Sequence, residues 1–95
     1  MFLRIHDAPG GGKVVAICDR ELLGRTLREG DLEITITEDF YGGEPATEDE
    51  VRAALRHATN ANIIGWKVVN IAISLGLVEI SSCLMIDSIP HAQIV

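Results

Sequence analysis

Basic residues are scarce in this sequence, whose 95 residues include eight Lys and Arg against fourteen Asp and Glu, a formal net charge of −6. This balance argues against a protein whose whole surface binds nucleic acid, because such binding depends on clustered cations. The sequence also lacks the composition of a collagen-like fibre, of a disordered tail or of a disulfide scaffold. A hydrophobic fraction of 47% supplies enough apolar material for one small core.

Cysteine is limited to Cys18 and Cys83, and neither belongs to a CxxC pair, so their spacing argues against a zinc or thioredoxin-type site. Both lie in apolar runs, so we predict two buried small hydrophobic residues; a disulfide between them stays open. Residues 1–4 begin a strand pattern and lack the features of a signal peptide. We therefore expect a cytoplasmic, reducing location.

A long apolar segment, 61–78, carries only one charge, Lys67. It is shorter and more polar than a membrane-spanning helix, because Lys67, Asn70 and Ser74 interrupt it on one helical stripe. We predict no membrane partner. The pattern indicates a helix buried on most of its surface, under a second layer or at a contact between subunits.

The remaining patterns predict short elements along one chain. The predicted strands are Phe2–His6, Val14–Cys18, Asp31–Thr37, Val78–Ile80, Cys83–Ile86 and Ala92–Val95. The predicted helices are Arg20–Arg28 with Asp19 as N-cap, Glu48–Thr59 with a Thr47/Glu50 capping box, and the apolar helix that ends near Leu75.

The order of these elements is roughly β-β-α-β-α-α-β-β. It predicts a single α+β domain over residues 1–95, with a mixed, mostly antiparallel sheet and about three helices. The first two strands are expected to form an antiparallel hairpin, and residues 38–46 a loop.

No motif predicts a cofactor or a metal site. The run Gly10-Gly11-Gly12-Lys13 lacks the spacing of a phosphate-binding loop and is read as a hairpin tip. The acids at 38–39 and 48–50 lack calcium-loop spacing and suit the first turn of a helix. His57 is predicted to be a surface residue, and no catalytic residue is assigned.

Two segments are the candidate binding residues. Phe40, Tyr41, Gly42, Gly43 and Glu44 join two aromatics to two glycines, which free the backbone for a close approach. His91 and Gln93 would share one face of a strand and could orient a polar ligand. Each also has a plain structural explanation, as an aromatic lid over the core and as the polar face of an edge strand.

Several unusual segments together cover almost the whole chain: Cys18–Gly24, Leu27–Gly30, Phe40–Glu44, Ala61–Gly65, Gly76–Val78 and Pro90–Ile94. In these segments the sequence resembles the small archaeal family catalogued as domain of unknown function 424. The resemblance implies an archaeal cytoplasmic protein without an established activity, and it supplies no catalytic residue. Trp66 and residues 79–82 stand where we expect more charged segments in relatives, which would enlarge an apolar surface for self-association.

Three functions are compatible with these observations. The first is a non-catalytic binding or accessory module, linked to RNA or translation, whose RNA-facing side chains would be Arg4, Lys13, Arg20, Arg25 and Arg28. The second is a small-molecule-binding enzyme with a pocket formed by the 40–44 loop, His91 and Gln93. The third is a homodimer formed through the Ile63–Leu75 helix around Trp66. We rank the binding module first and the enzyme last.

The negative charge is concentrated rather than spread. Residues 31–50 contain eight acids and no base, while the rest of the chain is slightly basic. This acidic segment suits a basic protein partner or a cation, and it leaves room for an RNA-facing surface elsewhere.

Overall fold

A hairpin of two strands begins the chain, as the alternating pattern predicts. In the computed structural model, which describes residues 1–95, β1 spans Phe2–Asp7 and β2 spans Lys13–Cys18. They pair antiparallel over their whole length. Gly10, Gly11 and Gly12 all have positive φ and form the exposed tip of this hairpin.

The predicted helix Arg20–Arg28 is wrong. Only a 3₁₀ turn forms at Arg20–Leu22, and the chain then enters β3 (Thr26–Glu29) and β4 (Leu32–Thr35), which form a second antiparallel hairpin. Gly24 has a φ of 85°, which ends any helix there, and Gly30, with a φ of 59°, makes the tight turn between the strands. The strand predicted at 31–37 is confirmed in a shorter form.

The predicted 38–46 loop contains a short helix, α1 (Glu38–Tyr41), and a two-residue strand, β5 (Glu44–Pro45). The next helix, α2 (Glu48–His57), is confirmed together with its capping box. The Thr47 hydroxyl accepts from the Glu50 N–H at 3.1 Å, and the Glu50 carboxylate accepts from the Thr47 N–H at 3.0 Å.

The apolar segment was predicted to form one helix, and this is wrong: it forms a strand followed by a helix. β6 (Ala61–Ile64) lies inside the sheet, and α3 (Trp66–Ser74) begins after Gly65, whose φ of 120° turns the chain between them. Apolar residues on all sides suit a central strand as well as a buried helix, which is why the pattern alone does not separate them. The predicted polar stripe of Lys67, Asn70 and Ser74 is exposed.

The last part of the chain forms a third hairpin. β7 (Leu84–Ile86) and β8 (Ile89–Ile94) pair antiparallel around the turn Asp87-Ser88. The strand predicted at 78–80 is absent, and a 3₁₀ turn occupies Ile80–Ser82. Cys18 is buried and Cys83 half-buried, and both are free thiols.

The main sheet has the order β5-β1-β2-β6-β8-β7, in which only the β2–β6 pair is parallel. One face, here called the helical layer, packs against α2 and α3 through Ile17, Ile63 and Val68, all fully buried. The opposite face, here called the hairpin layer, is covered by α1 and the β3–β4 hairpin through Leu27 and Ile36. The α+β class, the mixed sheet and the count of three helices are confirmed, although α1 replaces the helix expected at 20–28.

Asp19 joins the centre of the sheet to α3. It is 3% exposed, and its carboxylate accepts from the backbone N–H groups of Lys67 at 2.9 Å and Val68 at 3.0 Å, so it caps a helix 48 residues further along the chain. A Cβ on Gly65 would collide with this carboxylate, and only glycine fits there. The sequence suggested Asp19 as a cap for residues 20–28, which is wrong.

No helix has the length and apolar character needed to cross a membrane. The longest, α2, has ten residues.

Candidate functional site

The aromatic pair Phe40-Tyr41 is part of the core. The Thr37 hydroxyl caps α1 by accepting from the Phe40 N–H at 3.2 Å. Tyr41 is 5% exposed and packs in the core on the side of the hairpin layer. Its burial raises the pKa of its phenol to about 12. The Phe40 ring lies edge-on to it, with ring centroids 4.9 Å apart. The two aromatics therefore pack as a lid over the core.

His6 holds this lid in place, which the sequence did not indicate. Its ring stacks on Phe40 at a centroid distance of 4.9 Å, and its Nε2–H donates to the Phe40 carbonyl at 2.7 Å. This hydrogen bond uses one ring nitrogen of His6 in a structural contact.

The two glycines after the aromatics pass close to β1. A Cβ on Gly43 would collide with the Leu3 carbonyl oxygen, and the Arg4 guanidinium donates to the Gly42 carbonyl at 2.9 Å. Glu44 then pairs with Leu3 as the start of β5. The close backbone approach predicted from the two glycines is therefore a contact with β1 of the same chain.

His91 and Gln93 share one face of β8, as predicted, but they do not meet the 40–44 segment. His91 lies opposite Ile64 and Leu84, on the side of the hairpin layer. Its half-burial lowers its pKa, while Gln93 is exposed. β2 and β6 separate β8 from β1, a distance of about 14 Å at a strand spacing of about 4.8 Å. No cavity is lined by both segments.

Most of the predicted RNA-facing cations contact the protein itself. Lys13 pairs with Asp7, Arg28 pairs with Glu33 at 2.8 Å, and Arg4 binds the Gly42 carbonyl. Arg20 and Arg25 are exposed and form no ion pair. The five side chains come from three separate strands and two connecting segments.

The outward side of α3 is polar. Its Val68, Val69, Ile71 and Ala72 are buried against the sheet. Trp66 is 43% exposed, and its Nε1–H donates to the Ser88 carbonyl at 2.9 Å, in the turn between β7 and β8. The helix expected to mediate self-association therefore presents little apolar surface apart from Trp66.

The most open backbone lies on the outer edge of β1. β5 pairs only with Phe2 and Leu3, so β1 has no neighbour on this side beyond Leu3. The Met1 carbonyl accepts from the Ala46 N–H on the same side. Because backbone groups alternate direction along a strand, those of Ile5 and Asp7 also point outward. The Ile5 N–H and C=O form no hydrogen bond on this edge.

A groove runs beside this edge, between β1 and α2, and is here called the edge groove. One part, of about 690 Å³, is lined by residues 3–5 and 42–46 with Glu50 and Ala54. The other, of about 540 Å³, is lined by Ile5, residues 12–13, Val15, residues 53–54 and residues 57–59. Ile5 and Ala54 belong to both parts. The Ile5 side chain is 55% exposed.

The acidic side chains that line the edge groove are concentrated at one end. Glu44 and Glu50 lie at one end, next to the acidic first turn of α2. Hydrogen bonds from Thr47 lower the pKa of Glu50, which keeps it ionised. Lys13 and His57 lie at the other end. His57 is exposed, as predicted.

No set of three His, Cys, Asp or Glu side chains is arranged to hold a metal ion. The acids at 48–50 occupy the first turn of α2, where they complement the helix dipole, as predicted.

Comparison with known proteins adds a family and a fold. A family model described as "Protein of unknown function (DUF424)" matches residues 6–95. A crystal structure of an uncharacterized conserved protein from Methanopyrus kandleri is similar, with a TM-score of 0.78 and 26% identity, over 98% of this chain and 88% of that one. No curated protein matches the sequence.

Proposed function

Because the chain belongs to the DUF424 family, whose description assigns no activity, we propose a function from the geometry: a non-catalytic binding module that takes up an extended, basic segment of a partner protein. The segment adds as a further strand to β1, continues the line of β5 and occupies the edge groove. The free backbone of Ile5 is the observation that carries this proposal.

Strand addition suits this edge because the backbone groups needed are already aligned. An extended peptide gains main-chain hydrogen bonds from an exposed strand, while pockets beside it select alternate side chains. Ile5 and Asp7 offer outward groups two residues apart, which is the repeat of a strand. β5 already uses the same side of β1 at Phe2 and Leu3, so the added strand extends an existing pairing.

The walls of the edge groove favour small apolar side chains in the ligand. Ala53, Ala54 and Ala58 of α2 and its C-cap line the groove opposite Ile5, and they leave room beside the sheet. Every second side chain of an added strand would point towards these alanines. Burial of the exposed Ile5 side chain adds a hydrophobic contribution.

Charge selects a basic ligand. Glu44 and Glu50 line the groove, and Glu48 and Asp49 extend the acidic surface at the same end. The eight acids within residues 31–50 attract cations over a longer range and raise the association rate. A protein segment is favoured over RNA because Arg4, Lys13 and Arg28 are engaged within the molecule.

A titration with short synthetic peptides tests the proposal. The probe carries valines and arginines at the alternate positions that face α2, with the arginines at the end next to Glu44 and Glu50, and its matched control carries glutamate in place of arginine. Backbone amide shifts measured by NMR should move at Ile5, Asp7 and Ala54 with the basic peptide only. Shifts confined to Arg20 and Arg25 with single-stranded RNA at low salt, and none with the peptide, would instead favour an RNA-binding surface.

Ile5→Pro provides the matched variant. Proline removes only the outward N–H, so the β1–β2 pairing stays intact, and proline is tolerated on edge strands. Ile5→Val keeps the N–H and is the control. We expect Ile5→Pro to weaken peptide binding at least about tenfold and Ile5→Val to bind almost normally. Equal binding by both folded variants would reject strand addition.

A further inference from the structure

The opposite edge of the sheet, β7, also has free backbone groups. Pro90 pairs with Met85, and the Pro90 carbonyl accepts from the Gly65 N–H on the side away from β7. The Met85–Pro90 pair therefore exchanges no hydrogen bond, which suits a proline without an N–H. The Met85 N–H and C=O point outward from the sheet and have no partner.

The side chains of β7 are apolar on both faces of the sheet. Leu84 is 48% exposed towards the hairpin layer, and Met85 is 38% exposed towards the helical layer. Ile80, 48% exposed, precedes the strand, and Trp66 contacts the turn that follows it. Exposed edges of monomeric proteins are usually protected by charge, proline or a covering loop. β7 carries neither a charge nor a proline, and its short length of three residues is what limits the edge it exposes.

Charge indicates what covers this edge. Residues 80–86 contain no ionisable side chain except the Cys83 thiol, in a chain of net charge −6. Two copies repel each other wherever their acidic surfaces meet. This neutral run is flanked by Glu79 and Asp87, with Glu29 beside Asp87, so copies that meet across the run keep these acids at its ends. A charged partner of either sign gains nothing from it.

We propose that β7 pairs antiparallel with β7 of a second copy around a two-fold axis at Met85. Each Met85 donates its N–H to the other Met85 carbonyl, so one residue supplies both halves of a self-complementary pair. Leu84 then lies opposite Ile86 of the partner subunit. Ile86 is already fully buried within its own subunit, so the apolar area that the interface buries comes from the exposed side chains of Leu84 and Met85. The six-stranded sheet becomes a continuous sheet through two subunits.

Light scattering and sedimentation test this interface. The wild-type protein should approach twice its 10.3 kDa mass as its concentration rises. Met85→Pro removes the outward N–H without disturbing the β7–β8 pairing, and it should raise the dimer dissociation constant at least about tenfold. Met85→Leu, which keeps the N–H, should remain dimeric. A wild-type monomer at every concentration, or a Met85→Pro dimer of unchanged affinity, would overturn the proposal.

Two further variants keep the test decisive if Met85→Pro fails to fold. Leu84→Lys changes only an exposed side chain and places like charges across the interface, so it should be monomeric. Met85→Cys in a Cys83→Ser background should form an intermolecular disulfide on mild oxidation, because the paired Cα atoms would be about 5.5 Å apart. Leu84→Cys in the same background should not cross-link. A dimeric Leu84→Lys protein, or cross-linking at 84 and not at 85, would place the interface elsewhere.

Discussion

The two edges of the main sheet offer the same backbone chemistry in different surroundings. At β1, the outward groups of Ile5 lie beside a groove walled by the small residues of α2, with carboxylates at one end. At β7, the outward groups of Met85 lie on an open, uncharged strand with exposed apolar residues on both faces. Free N–H and C=O groups make both edges receptive to a strand. The side chains around them decide which strand each accepts.

Because of this difference, we expect each edge to bind a different kind of strand. The edge groove has a wall of small apolar residues and an acidic end, and together these features select a basic segment of another protein. The β7 edge lacks such features, and its neutrality within an acidic protein favours a second copy. The two proposals are independent, because Ile5→Pro should leave the dimer intact and Met85→Pro should leave peptide binding intact.

The largest expected effect lies between the edges, at Asp19. Asp19→Ala removes the acceptor for two backbone N–H groups at the start of α3, one of them buried. We expect a loss of about 2–4 kcal/mol in the free energy of unfolding, measured by urea denaturation. Edge variants such as Ile5→Val should change it by less than about 1 kcal/mol. Comparable losses at Asp19 and at the edges would remove the distinction between the sheet centre and its edges.

Lowering the pH should change the stability of the protein through the Asp19 carboxyl. Burial raises the Asp19 pKa above its ordinary value of 3.8, although the two N–H donors oppose this. The native state therefore takes up a proton at a higher pH than the unfolded chain, and this group's contribution to stability increases as pH falls through the folded pKa. Asp19→Asn lacks this response. The stability of wild type relative to Asp19→Asn should rise from neutral pH towards 3.8; a fall would contradict the assignment.

The charge preference of the edge groove can be tested at Ala53, an exposed residue that lines it. Ala53→Glu should tighten binding of the valine–arginine peptide about threefold, and Ala53→Lys should weaken it about threefold. Both substitutions lie on the surface of α2, so both proteins should retain their stability to within about 0.5 kcal/mol. Isothermal titration calorimetry at low salt measures the difference. Identical affinities would mean that charge does not select the ligand.

The smallest effect is expected at the turn next to the β7 edge. Ser88 has a φ of 60°, which glycine adopts more readily than serine. Ser88→Gly should raise the free energy of unfolding by about 0.5 kcal/mol, and the Trp66–Ser88 hydrogen bond is retained because it uses the backbone carbonyl. The dimer affinity should remain the same. Thermal denaturation measures the first effect and sedimentation the second.

The sequence predicted the elements whose signals are local. The β1–β2 hairpin follows from alternation and a glycine turn, and α2 follows from its own capping box. The errors arise where distant residues decide the structure. Asp19 precedes residues that resemble a helix start, yet it caps α3. The local signal for a helix at 20–28 is overridden because Gly24 ends the first turn and the following residues pair as β3 with β4 over the core.

The candidate site was predicted only in part, for a similar reason. The acidic segment and the aromatic lid were visible in the sequence, whereas the free edge at Ile5 depends on where β5 ends and α2 begins. His91 and Gln93 lie on one face of β8, but sequence could not show that two strands separate them from residues 40–44. The fully apolar β6 could not be distinguished from a helix without its neighbours β2 and β8.

Hydrogen exchange at the Ile5 amide tests the central claim most directly. Without a ligand, this outward N–H should exchange quickly, at a rate similar to that of Met85 under conditions where the protein is monomeric. A saturating concentration of the valine–arginine peptide should slow exchange at Ile5 by at least about tenfold and leave Met85 unchanged. Unchanged exchange at Ile5 in the presence of a bound peptide would contradict strand addition at β1.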